Sequence, residues 1–385
     1  MHYIIKYWFL FALLLSLTSA WISCGQEDLS PTAMPEVIEE VMDQTSDTQN
    51  VLEGTIRPIS SIDLVSEMGV GWNLGNSFDV ISKDKTIWGN PLSTTAHIRD
   101  VKAMGFTTLR IPITWNFDQK ETSPYTIEQD YLDRIQVIVN EALTNDMHVI
   151  INTHHEEWII PTDAEAEKVK SRLSSLWTQV ATFFEPYGDQ LLFEVMNEPR
   201  LRNSQEEWNG GTQEGRSVVN EYHKVCVEAI RATEGNNRKR HLMISTYAAS
   251  SNSDAMRDLV VPNDDPNIII SIHSYFPWAF AGIENGPNIW GSDEEKEALK
   301  NELDRIKDRW VVQENRAVIL GEWGTTDKNN LSSRIEYCAY YAKAATQRGL
   351  LPIIWDDGGN FGLYDRHAMN WKYPEIAEAV IAAAE

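Results

Sequence analysis

Cysteine is scarce. The 385 residues contain three, Cys24, Cys226 and Cys338, too few for a disulfide-stapled scaffold. Cys226 and Cys338 fall in segments with helical spacing and read as buried, inert thiols. Positive charge is short as well: 33 Lys and Arg stand against 57 Asp and Glu, a formal net charge of −24. Such a field repels phosphate backbones and anionic headgroups, which excludes nucleic acid as a partner and favours neutral substrates. No internal repeat or second domain is visible. Two cofactor signatures are incomplete. Gly69 and Gly71 begin like a dinucleotide loop, but Leu74 stands where the third glycine belongs and Trp72 would obstruct a pyrophosphate. His155-Glu156 begins like a zinc-protease helix, but Ile159 holds the place of its second histidine. The expectation is therefore no metal and no cofactor.

Long apolar runs are nearly absent. Only Tyr7–Leu17 invites a membrane reading, and it is shorter than the ~20 residues a span requires. Preceded by Lys6 and followed by Thr18, Ser19 and Ala20, it has the layout of an export signal. The segment Trp21-Ile22-Ser23-Cys24-Gly25 resembles a bacterial lipobox, with Trp21 where Leu is usual, and Glu27-Asp28 resembles a surface-export tail. Residues 1–24 are thus read as a signal peptide and Cys24 as a lipidation site, with membrane association only through that anchor. Cleavage after Ala20 and free secretion is the alternative. From Gly25 to Ile56 there is no Lys or Arg, and the Asp, Glu, Ser, Thr and Gln that dominate cannot build a core. Residues 25–56 are read as an acidic tether, and residues 57–385 as one catalytic domain acting as a monomer.

From Arg57 onward, short apolar runs alternate with helix-period segments. The expected strands are Gly69–Leu74, Thr107–Ile111, Val149–Thr153, Leu191–Val195, Leu242–Thr246, Ile268–Ile272, Val318–Gly321 and Leu351–Ile354. Thr126 with Gln129 and Ser333 with Glu336 have capping-box spacing, Ser93 or Thr94 can cap a further helix, and Gly105 can end it. Eight repeats of strand and helix predict an α/β fold of the (β/α)8 TIM-barrel type, with an open doubly wound sheet as the alternative. In a barrel the chemistry gathers at the C-terminal strand ends. Those ends carry Arg110, His154, Asn197 with Glu198, His273 with Tyr275, Glu322 and Trp355. Arg110 could also be a structural ion pair, and Trp355 plain core.

Two of these ends, Phe193–Pro199 and Leu320–Gly324, each set a glutamate at the rim straight after a buried run. A glycosidic bond needs two carboxyl groups, one to protonate the leaving oxygen and one to attack the anomeric carbon or activate water. These segments resemble glycoside hydrolase family 5. The likeness extends to Gly71–Asn76, Trp88–Pro91, Leu109–Pro112, Asn152–His155 and His273–Tyr275. Trp355–Gly359 and Phe361–Arg366 resemble its subfamily 4 of endo-glucanases, lichenases and xyloglucanases, with Asp357 where that pattern has Asn.

The resemblance implies Glu198 as acid/base and Glu322 as nucleophile. It implies that Arg110 and Tyr275 donate to Glu322, that Asn197 and His154 bind sugar hydroxyls, that His273 lies near the acid/base, and that Trp355 floors the cleaving subsite. Two carboxylates about 5 Å apart repel when both are ionised, so Glu198 is expected to hold the proton. Asp356 and Asp357 read either as loop caps or as sugar contacts. Trp115, Trp158, Trp208 and Trp278 are placed in rim loops where one or two could be sugar platforms, a role that suits the 14 Trp of the chain. The expected substrate is a neutral β-1,4-glucan, whether cellulose-type, mixed-linkage or xyloglucan. β-Mannan, xylan and a non-catalytic glycan-binding lipoprotein are the alternatives.

Overall fold

A computed structural model describes residues 51–384, so the export signal, Cys24 and the tether up to residue 50 lie outside the described residues. Eight parallel strands close into a barrel: β1 (Gly71–Asn73), β2 (Thr108–Ile111), β3 (His148–Asn152), β4 (Leu191–Glu194), β5 (Leu242–Ser250), β6 (Ile268–His273), β7 (Val318–Trp323) and β8 (Leu350–Ile354). Each pairs with the next, and Trp72 opposite Ile354 joins β1 to β8. All eight expected runs form strands. Closure excludes the open sheet.

Alternation along each strand explains why these runs read as almost continuously apolar. One face, including Val149, Ile151, Leu191, Phe193, Ile268 and Ile270, packs outward in the main core. The other points into the barrel, where Ile150, Leu192, Met243, Ile269, Ile319, Leu351 and Ile353 form a second cluster. Leu64, Val65 and Met68 of the helix Ser61–Met68 join that cluster and close the N-terminal end of the barrel. Burying each such aliphatic side chain contributes about 1.5–3 kcal/mol, which fixes the floor on which the polar layer above it rests.

That layer sits two residues further along the same strands: Asn152 follows Ile150, Glu194 follows Leu192, and Ser271 follows Ile269. Near the rim the register shifts between Ile272 and His273 against β7, and between Leu320 and Trp323 against β8. Such irregularities re-aim side chains at a barrel mouth.

Several expected boundaries change. The barrel body begins before Arg57. Leu52 packs on the main core, the Gly54 N–H donates to Pro186 O at 2.9 Å, and Arg57 pairs with Asp189. Thr126 caps nothing, because Ile127 bridges Gln119 and the helix starts at Gln129 after Glu128. Ser333 and Glu336 lie inside the helix Leu331–Thr346. The turn before it is already closed by Asp327 and Asn330, which accept from Asn329 N–H and Lys328 N–H. Thr94 does precede a helix, with its N–H donating to His97 Nδ1, and Gly105 ends that helix at φ 121°. A capping box also forms between Ser292 and Glu295. Cys226 and Cys338 are buried, free thiols whose pKa values burial pushes up.

Candidate active site

Arg110, fully buried on β2, is the centre of the polar layer. Its Nε donates to Glu194 Oε2 at 2.7 Å, Nη1 to Glu322 Oε1 and Asn73 Oδ1 at 2.8 Å each, and Nη2 to Asn197 Oδ1 at 2.6 Å. One guanidinium on β2 thus fixes groups from β1, β4, the segment after β4, and β7. Glu194 is fully buried and is held by Ser271 Oγ at 2.6 Å and Asn152 Nδ2 at 3.0 Å. Its charge balances part of Arg110, which leaves the remainder of the cation to face Glu322. Taking one partner from such a buried set costs about 3–5 kcal/mol, so the geometry has little freedom to drift.

Glu198 and Glu322 each present a carboxylate oxygen, and these lie within 4.8 Å of each other and of a His273 ring nitrogen. Their surroundings differ. Glu322 accepts from Arg110 on Oε1 and from the Tyr275 hydroxyl on Oε2 at 3.1 Å. Glu198 shares a 2.8 Å hydrogen bond with His273 Nδ1 and accepts from Arg200 Nη1 at 3.2 Å. Burial raises both carboxyl groups. For Glu198 the His273 hydrogen bond and charge, then Arg200, outweigh it and hold the group at about 2. For Glu322 burial prevails over His273 and Arg110, and the group stays raised. The pair titrates apart, but in the order opposite to the expectation: Glu198 is held down and Glu322 is raised. Burial lowers His273, but the Glu322 charge and the hydrogen bond to Glu198 raise it on balance, so the proton expected on Glu198 alone is one that the Glu198–His273 pair holds together.

The other expected residues join the same cleft. His154 is kept neutral by burial, its Nδ1 paired to Asn152 Nδ2 at 3.0 Å and its Nε2 turned to Glu322 Oε1 at 3.9 Å. Its ring lies parallel to Trp355, with centroids 5.9 Å apart. Trp355 is half-buried, and a side chain at Gly75 would meet its indole at 2.7 Å, so only glycine admits the platform there. Asp356 is no sugar contact. It is fully buried and accepts from Trp72 Nε1 and from the Gly358, Leu363 and Tyr364 N–H groups, which shapes the loop after β8. Asp357 caps the Gly359 and Phe361 N–H groups.

The tryptophans divide. Trp115 is wholly buried, with Nε1 bonded to Asn152 O, and belongs to the core rather than the rim. Trp158 is pinned between Glu156 and Arg172. Trp208 and Trp278 are 56% and 55% exposed and remain available as platforms, Trp278 edge-on to Tyr275. Trp88, beside His155, is a further half-exposed indole of the cleft. Sequence reasoning missed Asn73, Glu194, Ser271 and Arg200. The regular spacing of Glu194 and Ser271 after inward aliphatics was the available signal.

Residues 69–360 match the family described as cellulase (glycosyl hydrolase family 5). Endoglucanase B of Clostridium cellulovorans is 45% identical over 350 residues, which cover 87% of this chain and 79% of that protein. Cellulase/esterase CelE of Acetivibrio thermocellus is also 45% identical, over 88% of this chain, but the chain spans only 42% of its length. Among solved structures, ZgEngAGH5_4 in complex with a cellotriose superposes at a TM-score of 0.84 with 50% identity, covering 85% of this chain and all of that one. A GH5-4 broad specificity endoglucanase from Ruminococcus champanellensis with bound cellotriose superposes at 0.83 with 37% identity, covering 85% of this chain and 100% of its own. A closed barrel with paired glutamates at the ends of its fourth and seventh strands, matched over most of its length, makes this chain a member of glycoside hydrolase family 5.

Proposed function

We propose that the chain is a retaining endo-β-1,4-glucanase acting on neutral plant β-glucans. One observation carries the mechanism: two carboxylate oxygens within 4.8 Å of each other, one group held by Arg110 and Tyr275 and the other by His273 and Arg200. Inverting enzymes hold their carboxyl groups roughly 6.5–9.5 Å apart to admit a water, whereas about 5 Å suits direct attack. Glu322 attacks the anomeric carbon as the bond to the leaving oxygen breaks, and that oxygen takes the proton of the Glu198–His273 pair through Glu198. The negative charge of Glu322 is then consumed in the ester. In the second step Glu198 removes a proton from water, the water oxygen bonds to the anomeric carbon, and Glu322 departs as carboxylate.

The choice of β-glucan rests on the relatives whose names state endoglucanase and on the two structures that hold cellotriose. Initial rates on mixed-linkage glucan, xyloglucan, carboxymethyl cellulose, xylan and galactomannan, with product sizing at low conversion, test it. Oligosaccharides from the glucans are expected first. Activity confined to galactomannan or xylan would replace the reading with mannanase or xylanase, and monosaccharide as the only early product would remove endo action. A non-catalytic role is disfavoured because both glutamates keep their complete sets of partners.

We also propose export and a lipid anchor at Cys24, from the Lys6 to Gly25 pattern. Mass spectrometry of the mature protein should find a diacylglyceryl group on an N-terminal Cys24. A mature chain that starts at Trp21 without lipid would defeat this.

A further inference from the structure

Arg200 follows the acid/base by two residues and is engaged on three sides. Its Nη1 donates to the Glu198 backbone carbonyl at 2.9 Å and to Glu198 Oε2 at 3.2 Å. Its Nε donates to Glu207 Oε1 at 3.1 Å, and the guanidinium lies 4.1 Å from the centre of the Trp208 ring. Glu207 is itself tied down, because its Oε2 accepts from Asn203 N–H at 2.7 Å. The loop after β4 thus folds back on one cation. The Arg200 side chain is 13% exposed and that of Glu198 15%, so the contact is only partly screened by solvent.

We propose that Arg200, clamped between Glu207 and the face of Trp208, is a positioning residue that holds the acid/base carboxyl in its firing geometry and sets the upper pH limit of proton delivery. The proposal rests on reading Glu198 as the acid/base. A cation beside the Glu198–His273 pair weakens its hold on the proton, and the Glu207 charge offsets part of that field. The other charged or titratable groups facing Glu198 are His273 from β6, Tyr275 just beyond it, Glu322 from β7 with Arg110 of β2 behind it, His155 beyond β3, and Arg202 on the same loop. His273 touches Glu198 but also lies 3.6 Å from Glu322, whereas Arg200 touches Glu198 and Glu207 touches Arg200 with neither reaching the nucleophile.

Opposite shifts follow from opposite charges. Arg200→Met should move the basic limb of kcat/KM up by about 0.5–1 pH unit, since the proton is held more tightly. Arg200→Lys, which keeps the charge, should leave that limb near the wild-type position. Glu207→Gln should move it down by less. Arg200→Met should also lose several-fold more rate on an unactivated cello-oligosaccharide than on a dinitrophenyl cellobioside, whose leaving group needs no proton. A purely structural role would depress both substrates equally and leave the limbs in place. Superimposable pH profiles for Arg200→Met and Glu207→Gln, in an otherwise active enzyme, would overturn the proposal. A wild-type chain without glycosidase activity would instead overturn the functional reading beneath it. Should Arg200→Met fail to fold, Glu207→Gln and Arg200→Lys still decide the matter.

Discussion

Glu322→Ala is expected to abolish hydrolysis, with kcat falling on the order of 10⁴-fold or more, because the variant loses the carboxylate that forms the covalent bond to the anomeric carbon. Arg110 keeps Glu194, Asn73 and Asn197 as partners in the variant, so the polar layer remains assembled and a folded protein is expected. Azide has the size and charge to enter the space left by the carboxylate. With an activated aryl glycoside it should restore turnover and yield the α-glycosyl azide, the product of a single displacement. Substantial residual hydrolysis, or rescue that yields the β-azide, would place the nucleophile elsewhere.

Glu198→Ala should show a different pattern. On polysaccharide the rate is expected to fall about 10²–10⁴-fold, the usual worth of a general acid/base. With dinitrophenyl cellobioside the first step should persist, because the departing phenolate is stable without a proton. The second step should slow, for no base remains to activate water. The glycosyl ester on Glu322 should therefore accumulate, visible as a burst of phenolate, a low KM and an added sugar mass on the intact protein. Azide should now give the β-glycosyl azide by attack on that ester. An equal loss on both substrates, with no burst, would contradict the assignment.

The opposite azide anomers expected of the two variants depend on a division of labour that the resemblance to glycoside hydrolase family 5 implied, while the residues themselves showed the placement of both groups. Each glutamate stands straight after an apolar run, and in a barrel the end of such a run is the rim. Arg110 and Tyr275 were legible in the same way, and both reach Glu322. Glu194 was not. A lone glutamate between Phe193 and Val195 looks like the solvent face of a half-exposed strand, and only closure of the sheet turns that face into a dry interior where Arg110 neutralises it. Arg200 and Glu207 escaped notice because their contact depends on how the loop after β4 turns back, which no periodicity encodes. Trp115 was misplaced for a similar reason: the chain beyond β2 folds under the rim, so a residue near a strand end is sealed into the core. The reversed order of the two carboxyl groups also needed coordinates, since it depends on a 2.8 Å contact between Glu198 and His273, 75 residues apart in sequence.

Double displacement is the chemistry for which one carboxylate oxygen of Glu198 and one of Glu322, within 4.8 Å of each other, are placed. Proton NMR of the reducing ends released in the first moments of hydrolysis tests it most directly. The β-anomer should appear first and the α-anomer only as mutarotation proceeds. The α-anomer appearing first would show inversion and contradict the assignment of Glu322 as nucleophile.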